Sequence, residues 1–134
     1  MARSDKRARR LVVDGENFLW TLSHTHRALG NGRYEDCCET LVIRQFKARG
    51  HLCIVFQAGS DRLVADGYRY LMPSRAVGTE LGRTLNLHEP GTVRALLDVA
   101  LKRGWRTDDP VTEEIDGWSI FDEVVQYHGA TSPD

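Results

Sequence analysis

No apolar run in this 134-residue sequence approaches the ~18 residues that a membrane-spanning helix needs. No apolar stretch follows the basic start in the manner of a secretory signal. Both absences point to a cytoplasmic chain without membrane contact. Cysteine is scarce and odd in number, with Cys37, Cys38 and Cys53 the whole set, and adjacent cysteines rarely pair. A disulfide framework is therefore not expected, and reduced thiols fit the same compartment. Lysine is confined to Lys6, Lys47 and Lys102, an arginine bias that reflects a GC-rich coding genome rather than chemistry. The phosphate-cradling G-x-x-x-x-G-K-[ST] loop, the G-x-S-x-G nucleophile turn, the H-E-x-x-H metal helix and paired C-x-x-C motifs are all missing. The reading accordingly leans away from an enzyme.

Apolar residues make up 41% and charged residues 28%, a composition that folds and is too apolar for a disordered chain. The length suits one domain with a continuous core. The net charge of −1 conceals opposite ends: Arg3, Lys6, Arg7, Arg9 and Arg10 stand against Asp5 at the start, whereas residues 107–134 carry eight acids and neither Lys nor Arg. The expected organisation is a basic flexible arm over 1–9, a single α+β domain over 10–128 and a disordered tail over 129–134.

Four period-two runs separated by turn residues predict an antiparallel β-meander, with one or two short strands added. Regular structure is expected from Arg10 or Leu11. A turn at Gly15-Glu16 sets Val13 opposite Phe18, and Leu11 opposite Trp20. A turn at Asn31-Gly32 sets Leu22 opposite Leu41, and Trp20 opposite Ile43. A turn at Arg49-Gly50 sets Ile43 opposite Phe56, and Gln45 opposite Ile54. All three registers gather Leu11, Val13, Phe18, Trp20, Leu22, Leu41, Ile43, Leu52, Ile54 and Phe56 on one face, an agreement that a one-residue slip would destroy. A smaller hairpin is expected around Asp66-Gly67, joining 62–65 to 68–71. A loop over 73–83 and a short strand over 84–87 follow.

Pro90 opens the clearest helix, over 90–103, in which Val93, Leu96, Leu97, Ala100 and Leu101 form a stripe. Lys102 and Arg103 suit its negative end, and Gly104 can terminate it. Arg94, Asp98 and Lys102 mark a solvated face. Trp105 is expected to cover the helix end. A short strand ending at Ile115, with Asp116-Gly117 after it, leads to a second, shorter helix over 118–127, which turns Phe121, Val124 and Val125 inward and carries a capping-box pattern at Ser119 and Asp122. Glu89 sits at the cap of the first helix.

The histidines and cysteines form a metal site only if they converge, since a zinc or iron centre needs several N or S ligands within about 2 Å of one ion. His51 and His26 fall at opposite ends of the sheet, ~30 Å apart along nine residues of strand. Cys53 points away from the apolar face. One smaller constellation survives: His24 and His26 share a strand face, with Glu39 opposite His24 and Cys37 opposite His26. Two histidines with a thiolate or carboxylate can hold zinc or iron, and a His beside a carboxylate can serve as an acid/base pair. A cross-strand His–Glu pair on an ordinary sheet surface is the competing reading. Tyr34, Tyr68 and Tyr70, interleaved with Arg33, Arg69 and Arg75, suggest either strand packing or a stacking surface for single-stranded nucleic acid.

The segment Leu87 to Trp105, a Pro-led helix ending in Gly-Trp after several strands, resembles the C-terminal half of small bacterial proteins of unknown function from high-GC, actinobacterial-like genomes. The resemblance covers about 19 residues and implies no activity, cofactor or site residue. Three functional readings follow. The preferred one is a non-catalytic interaction or regulatory protein with a protein partner, including a homodimer that covers Val12, Leu19, Val42 and Val55 on the second sheet face. The second is a metal-binding protein using His24, His26, Cys37 and Glu39. The third is a nucleic-acid binder through Arg3, Lys6, Arg7, Arg9 and Arg10, against which the near-neutral charge argues.

Overall fold

The computed structural model describes residues 3–30, 33–59, 62–64, 76–79 and 83–131, with side chains described from residue 8 onward except at 26–29, 33–36 and 127–131. In chain order these form β1 (Arg3–Val13), β2 (Glu16–Gly30), β3 (Arg33–Gln45), β4 (Leu52–Gln57), β5 (Leu63–Val64), β6 (Ala76–Gly78), β7 (Thr84–Asn86), α1 (Pro90–Lys102), β8 (Glu113–Asp116) and α2 (Trp118–Thr131). The architecture is α+β. Among the described residues one five-stranded sheet has the order β1-β2-β3-β4-β8, and a three-stranded sheet has the order β5-β6-β7. No described helix is long and apolar enough to cross a membrane.

The meander follows the predicted faces, though only one hairpin has the predicted register. Between β2 and β3 the pairs are Leu22↔Leu41 and Trp20↔Ile43, as expected. The first hairpin instead turns at Asp14-Gly15, where φ is +51° and +82°, so Val13 meets Glu16 and Leu11 meets Phe18. Positive φ at both central residues is what a tight hairpin with native twist requires, and Asp-Gly supplies it better than Gly-Glu. The third connection is a loop rather than a tight turn, so Ile43 meets Leu52 and Leu41 meets Ile54. Gly50 serves that loop by close approach: a Cβ there would lie 2.6 Å from the Thr107 carbonyl oxygen, while its own N–H donates to that oxygen at 2.8 Å.

These offsets are of two and four residues. Even offsets preserve the face, so the predicted apolar set still points inward. Phe18, Trp20, Leu22, Leu41, Ile43, Leu52, Ile54 and Phe56 are each 0–4% exposed, whereas Leu11 is only partly buried. Burying each such side chain favours folding by roughly 1.5–3 kcal/mol before conformational entropy is counted.

Four boundaries depart from expectation. Strand pairing starts at Arg3↔His24, well before Arg10, and an irregularity between Asp5 and Arg9 lets the two long strands stay in step. Ala76–Gly78 is a buried strand rather than loop, and it pairs with β5. The 66–71 half of the expected hairpin lies outside the described residues. The short strand β8 pairs parallel to β4, a long-range contact that local periodicity cannot signal. Helix α2 continues past residue 127 to Thr131.

Both helices pack on the face that holds the apolar set. In α1, Val93, Leu96, Leu97 and Ala100 are fully buried, and Leu101, expected in the stripe, is instead 36% exposed. Glu89 is the N-cap residue without a side-chain cap bond, Pro90 follows, and Gly104 at φ +110° ends the helix. Trp105 is buried, its backbone N–H donating to Ala100. Arg94 pairs with Asp98 along the solvent side, while Lys102 and Arg103 both reach Glu123 of α2. The small sheet adds Val64, Val77 and Leu85 to the same core.

Candidate functional site

The inner face changes character at one end of the β2–β3 pair. Beyond Leu22 and Leu41 the next facing residues are His24 and Glu39, and Glu39 in turn sits opposite Phe56 on β4. Glu39 is fully buried, and the His24 side chain is 14% exposed. His24 Nδ1 lies 2.6 Å from Glu39 Oε1. A carboxylate accepts, so the ring N–H donates, giving a short charge-assisted bond of the stronger kind. Inside a protein, a carboxylate stripped of water needs such a partner, because its desolvation is otherwise far too costly.

The alternation of strand residues explains why these groups meet. Cys37, Glu39, Leu41 and Ile43 occupy successive inward positions of β3, and Trp20, Leu22 and His24 occupy those of β2. Cys37 is buried and its carbonyl accepts the N–H of Ala58, which extends the β3–β4 pairing by one step. The pairing shifts between Thr25 and Arg27, at the level of His26, so the simple opposition of His26 and Cys37 gives way to an irregularity there. The side chain of His26 lies outside the described residues. Among the described residues no three His, Cys, Asp or Glu side chains converge on a common point, so His24, Cys37 and Glu39 alone do not make a metal centre. The histidine–carboxylate pair is what the register brings together. Such a pair can orient an imidazole for metal ligation or proton transfer, or can satisfy a polar end of the core.

Of the basic residues at the start, Arg9 turns inward. Its guanidinium lies 5.4 Å from the centroid of the Trp20 ring, and Nη2 donates to His88 Nε2 at 2.9 Å. Arg9 thereby ties β1 to the segment that leads into α1. Arg10, next along the strand, is exposed on the opposite face. The side chains of Arg3, Lys6 and Arg7 lie outside the described residues, as do those of Arg33 and Tyr34 and the whole of Tyr68, Arg69, Tyr70 and Arg75. His51 is exposed beside Leu52, and its carbonyl accepts the N–H of Glu113.

The second face of the large sheet has a different chemistry. Its residues include Val12, Leu19, Thr21, Thr40, Val42, Arg44, Cys53 and Val55, with Glu114 and Asp116 on β8. Most are half-buried; Val12 is 56% exposed. The three cysteines are free thiols. Burial foremost, then the negative charge of Glu114, then Cys38, raises the pKa of the Cys53 thiol above its ordinary value.

One depression of about 220 Å³ opens at the β8 edge, lined by Val55, Gln57, Arg62, Glu114, Ile115, Asp116 and Trp118. Sequence reasoning missed it, since it joins residues 62 and 118 across the fold. The signal that was available is the Asp116-Gly117-Trp118 turn, where Asp116 Oδ1 accepts the N–H of Trp118 and Ser119 Oγ donates to the Asp116 carbonyl. Asp116 thus does the capping that the pattern assigned to Ser119 with Asp122, and Asp122 instead pairs with Arg83. Compared with protein-family models, curated proteins and solved structures, the chain matches none of them.

Proposed function

We propose that this chain is a non-catalytic interaction protein that associates through the second face of its five-stranded sheet, with a second copy of itself as the partner. The carrying observation is the one-sided placement of the helices: α1 and α2 pack on the inner face, and along β4 the residues alternate between fully buried and half-exposed. The remaining face offers Leu19, Val42 and Val55 among threonines.

Charge favours a second copy. Arg10 stands on β1 at one edge of the face, while Glu114 and Asp116 stand on β8 at the opposite edge. A two-fold axis running along the strands lays β1 of one copy over β8 of the other, and β2 over β4. Arg10 of each copy then comes within reach of Glu114 of the other at both edges, and Val42 on the central strand lies near the axis. Aligned packing of two such sheets leaves about 10 Å between them, enough for one interdigitated layer of side chains.

Sedimentation equilibrium tests this over a micromolar concentration series. The native chain should dimerise, and Val42→Asp, which sets two carboxylates beside the axis, should weaken the dimer by about 100-fold or more. A native chain that stays monomeric at hundreds of micromolar, or a Val42→Asp chain that dimerises as tightly, would overturn the reading.

A second reading is favoured by the 2.6 Å contact between His24 and Glu39. Carboxylates commonly hold metal-ligating histidines in this way, and Cys37 and His26 belong to the same end of the β2–β3 pair. On this reading native mass spectrometry of chelator-free protein shows one zinc or iron, lost from both His24→Ala and His26→Ala. A metal-free native mass after zinc addition would rule it out.

A further inference from the structure

The depression at the β8 edge combines three features that together select one kind of ligand. Its aromatic wall is Trp118, and this ring is held from several sides. Its Nε1–H donates to the Gln57 carbonyl at 2.8 Å, it meets Phe56 edge-on at 5.3 Å between centroids, and it leans on Phe121 at 5.2 Å. The preceding residue has to be glycine for the turn to seat here, since a Cβ on Gly117 would lie 2.5 Å from the Phe56 ring. The indole is therefore a prepared surface rather than a side chain that must be ordered on binding.

Beside that ring stand Glu114 and Asp116, both exposed and neither in an ion pair among the described residues. Their separation by one residue puts both on the same side of β8. The third feature is Arg62, whose guanidinium already lies over the Trp118 ring at 5.8 Å from the centroid. It enters from the short bridge in which Gly59 and Arg62 exchange backbone hydrogen bonds, and its side chain is exposed. The protein's own Arg62 thus demonstrates the chemistry that the wall accepts: a flat cation against an aromatic face. Two carboxylates beside one arginine leave the depression with net negative charge.

We infer that this depression is a binding site for an arginine side chain presented by a basic peptide segment, with Arg62 as an internal occupant that an incoming arginine displaces. A volume near 220 Å³ admits a guanidinium and part of its alkyl stem. The stem packs on Val55 and Ile115, the planar group lies on Trp118, and the carboxylates of Glu114 and Asp116 accept its N–H donors. Lysine fits less well, because a compact, strongly hydrated ammonium neither stacks nor binds in a fork. The inference goes beyond self-association; because the proposed dimer would lay β1 over this edge, binding is also read in a Val42→Asp background, where the site stays uncovered and failure of the dimer does not affect the result.

The test uses the full chain, a short arginine-containing peptide with blocked ends, and the same peptide with citrulline, which keeps the shape and loses the charge. Binding is followed through the NMR shifts of the Trp118 indole N–H and the backbone amides of residues 113–118. The arginine peptide should shift these signals saturably and at least ten times more tightly than the citrulline peptide. Arg62→Ala should tighten binding several-fold by vacating the ring, and Glu114→Gln should weaken it. Equal response to citrulline would overturn the proposal, as would weaker binding by an Arg62→Ala chain whose amide spectrum shows it folded. Shifts spread over the whole surface without saturation would do the same.

Discussion

The two faces of the five-stranded sheet are made by the same strands and differ in almost everything else. On the inner face Leu41, Ile43, Leu52, Ile54 and Phe56 have no exposed surface, and two helices and a small sheet close over them. On the outer face their immediate neighbours Val42, Cys53 and Val55 remain half-exposed. A strand thus divides its residues between two jobs at every step: one set supplies the folding free energy, and the other is available for contact at little cost to the fold. The polar inward residue Glu39, fully buried and bonded to His24, marks a place where the inner face departs from hydrocarbon, as Arg9 does over the Trp20 ring.

The sharpest way to break the comparison is to truncate one residue on each side. Phe56→Ala removes a ring that contacts the Trp118 ring and closes against Gly117, and it should cost about 3–5 kcal/mol in urea unfolding. Val42→Thr, similar in shape and half-exposed, should cost less than about 1 kcal/mol. Similar losses for the two would mean that the outer face is buried in the folded state studied, which is the outcome that a tight dimer produces. Repeating the pair far below the dimer constant separates that case from a true core position.

Much of this division was legible from the chain. Alternation assigned the inward set, because the side-chain period of a strand is two and every misjudged turn was wrong by an even number. The Asp14-Gly15 turn was itself a stronger hairpin signal than the neighbouring Gly-Glu, so that register was recoverable from turn chemistry. The helix at 90–102 was legible from its stripe and its proline. The opposition of His24 and Glu39 followed directly from the second hairpin, whose register was right.

What escaped was of two kinds. Residues 3–9 lack apolar alternation, and their charges resemble those of a solvated terminus; they pair with β2 because that long strand provides the template, a tertiary effect. Strand β8, the β5–β6 pairing and the Arg62–Trp118 depression depend on contacts between distant parts of the chain, for which no local pattern exists. Trp118 looked like the first residue of a helix. Its role as a wall depends on Phe56 and Gln57, some 60 residues earlier.

The smallest predicted effect tests how wet the outer face is. Cys53 lies on it, opposite Val42 on one side and Glu114 on the other. Its thiol pKa is raised, first by burial and next by the Glu114 charge, so at a given pH a smaller fraction is thiolate and alkylation is slower than for an ordinary cysteine. The rate against pH should follow a curve displaced to higher pH, read by peptide mass after brief iodoacetamide treatment. Glu114→Gln should bring a small increase in rate, because it removes the second cause and leaves the first. If two copies pack through this face, dilution should accelerate the reaction more than Glu114→Gln does, since separation restores water to the thiol. A rate insensitive to dilution would mean that the shielding comes from the strands of a single chain, and it would place the dimer contact elsewhere than on Cys53 and its neighbours.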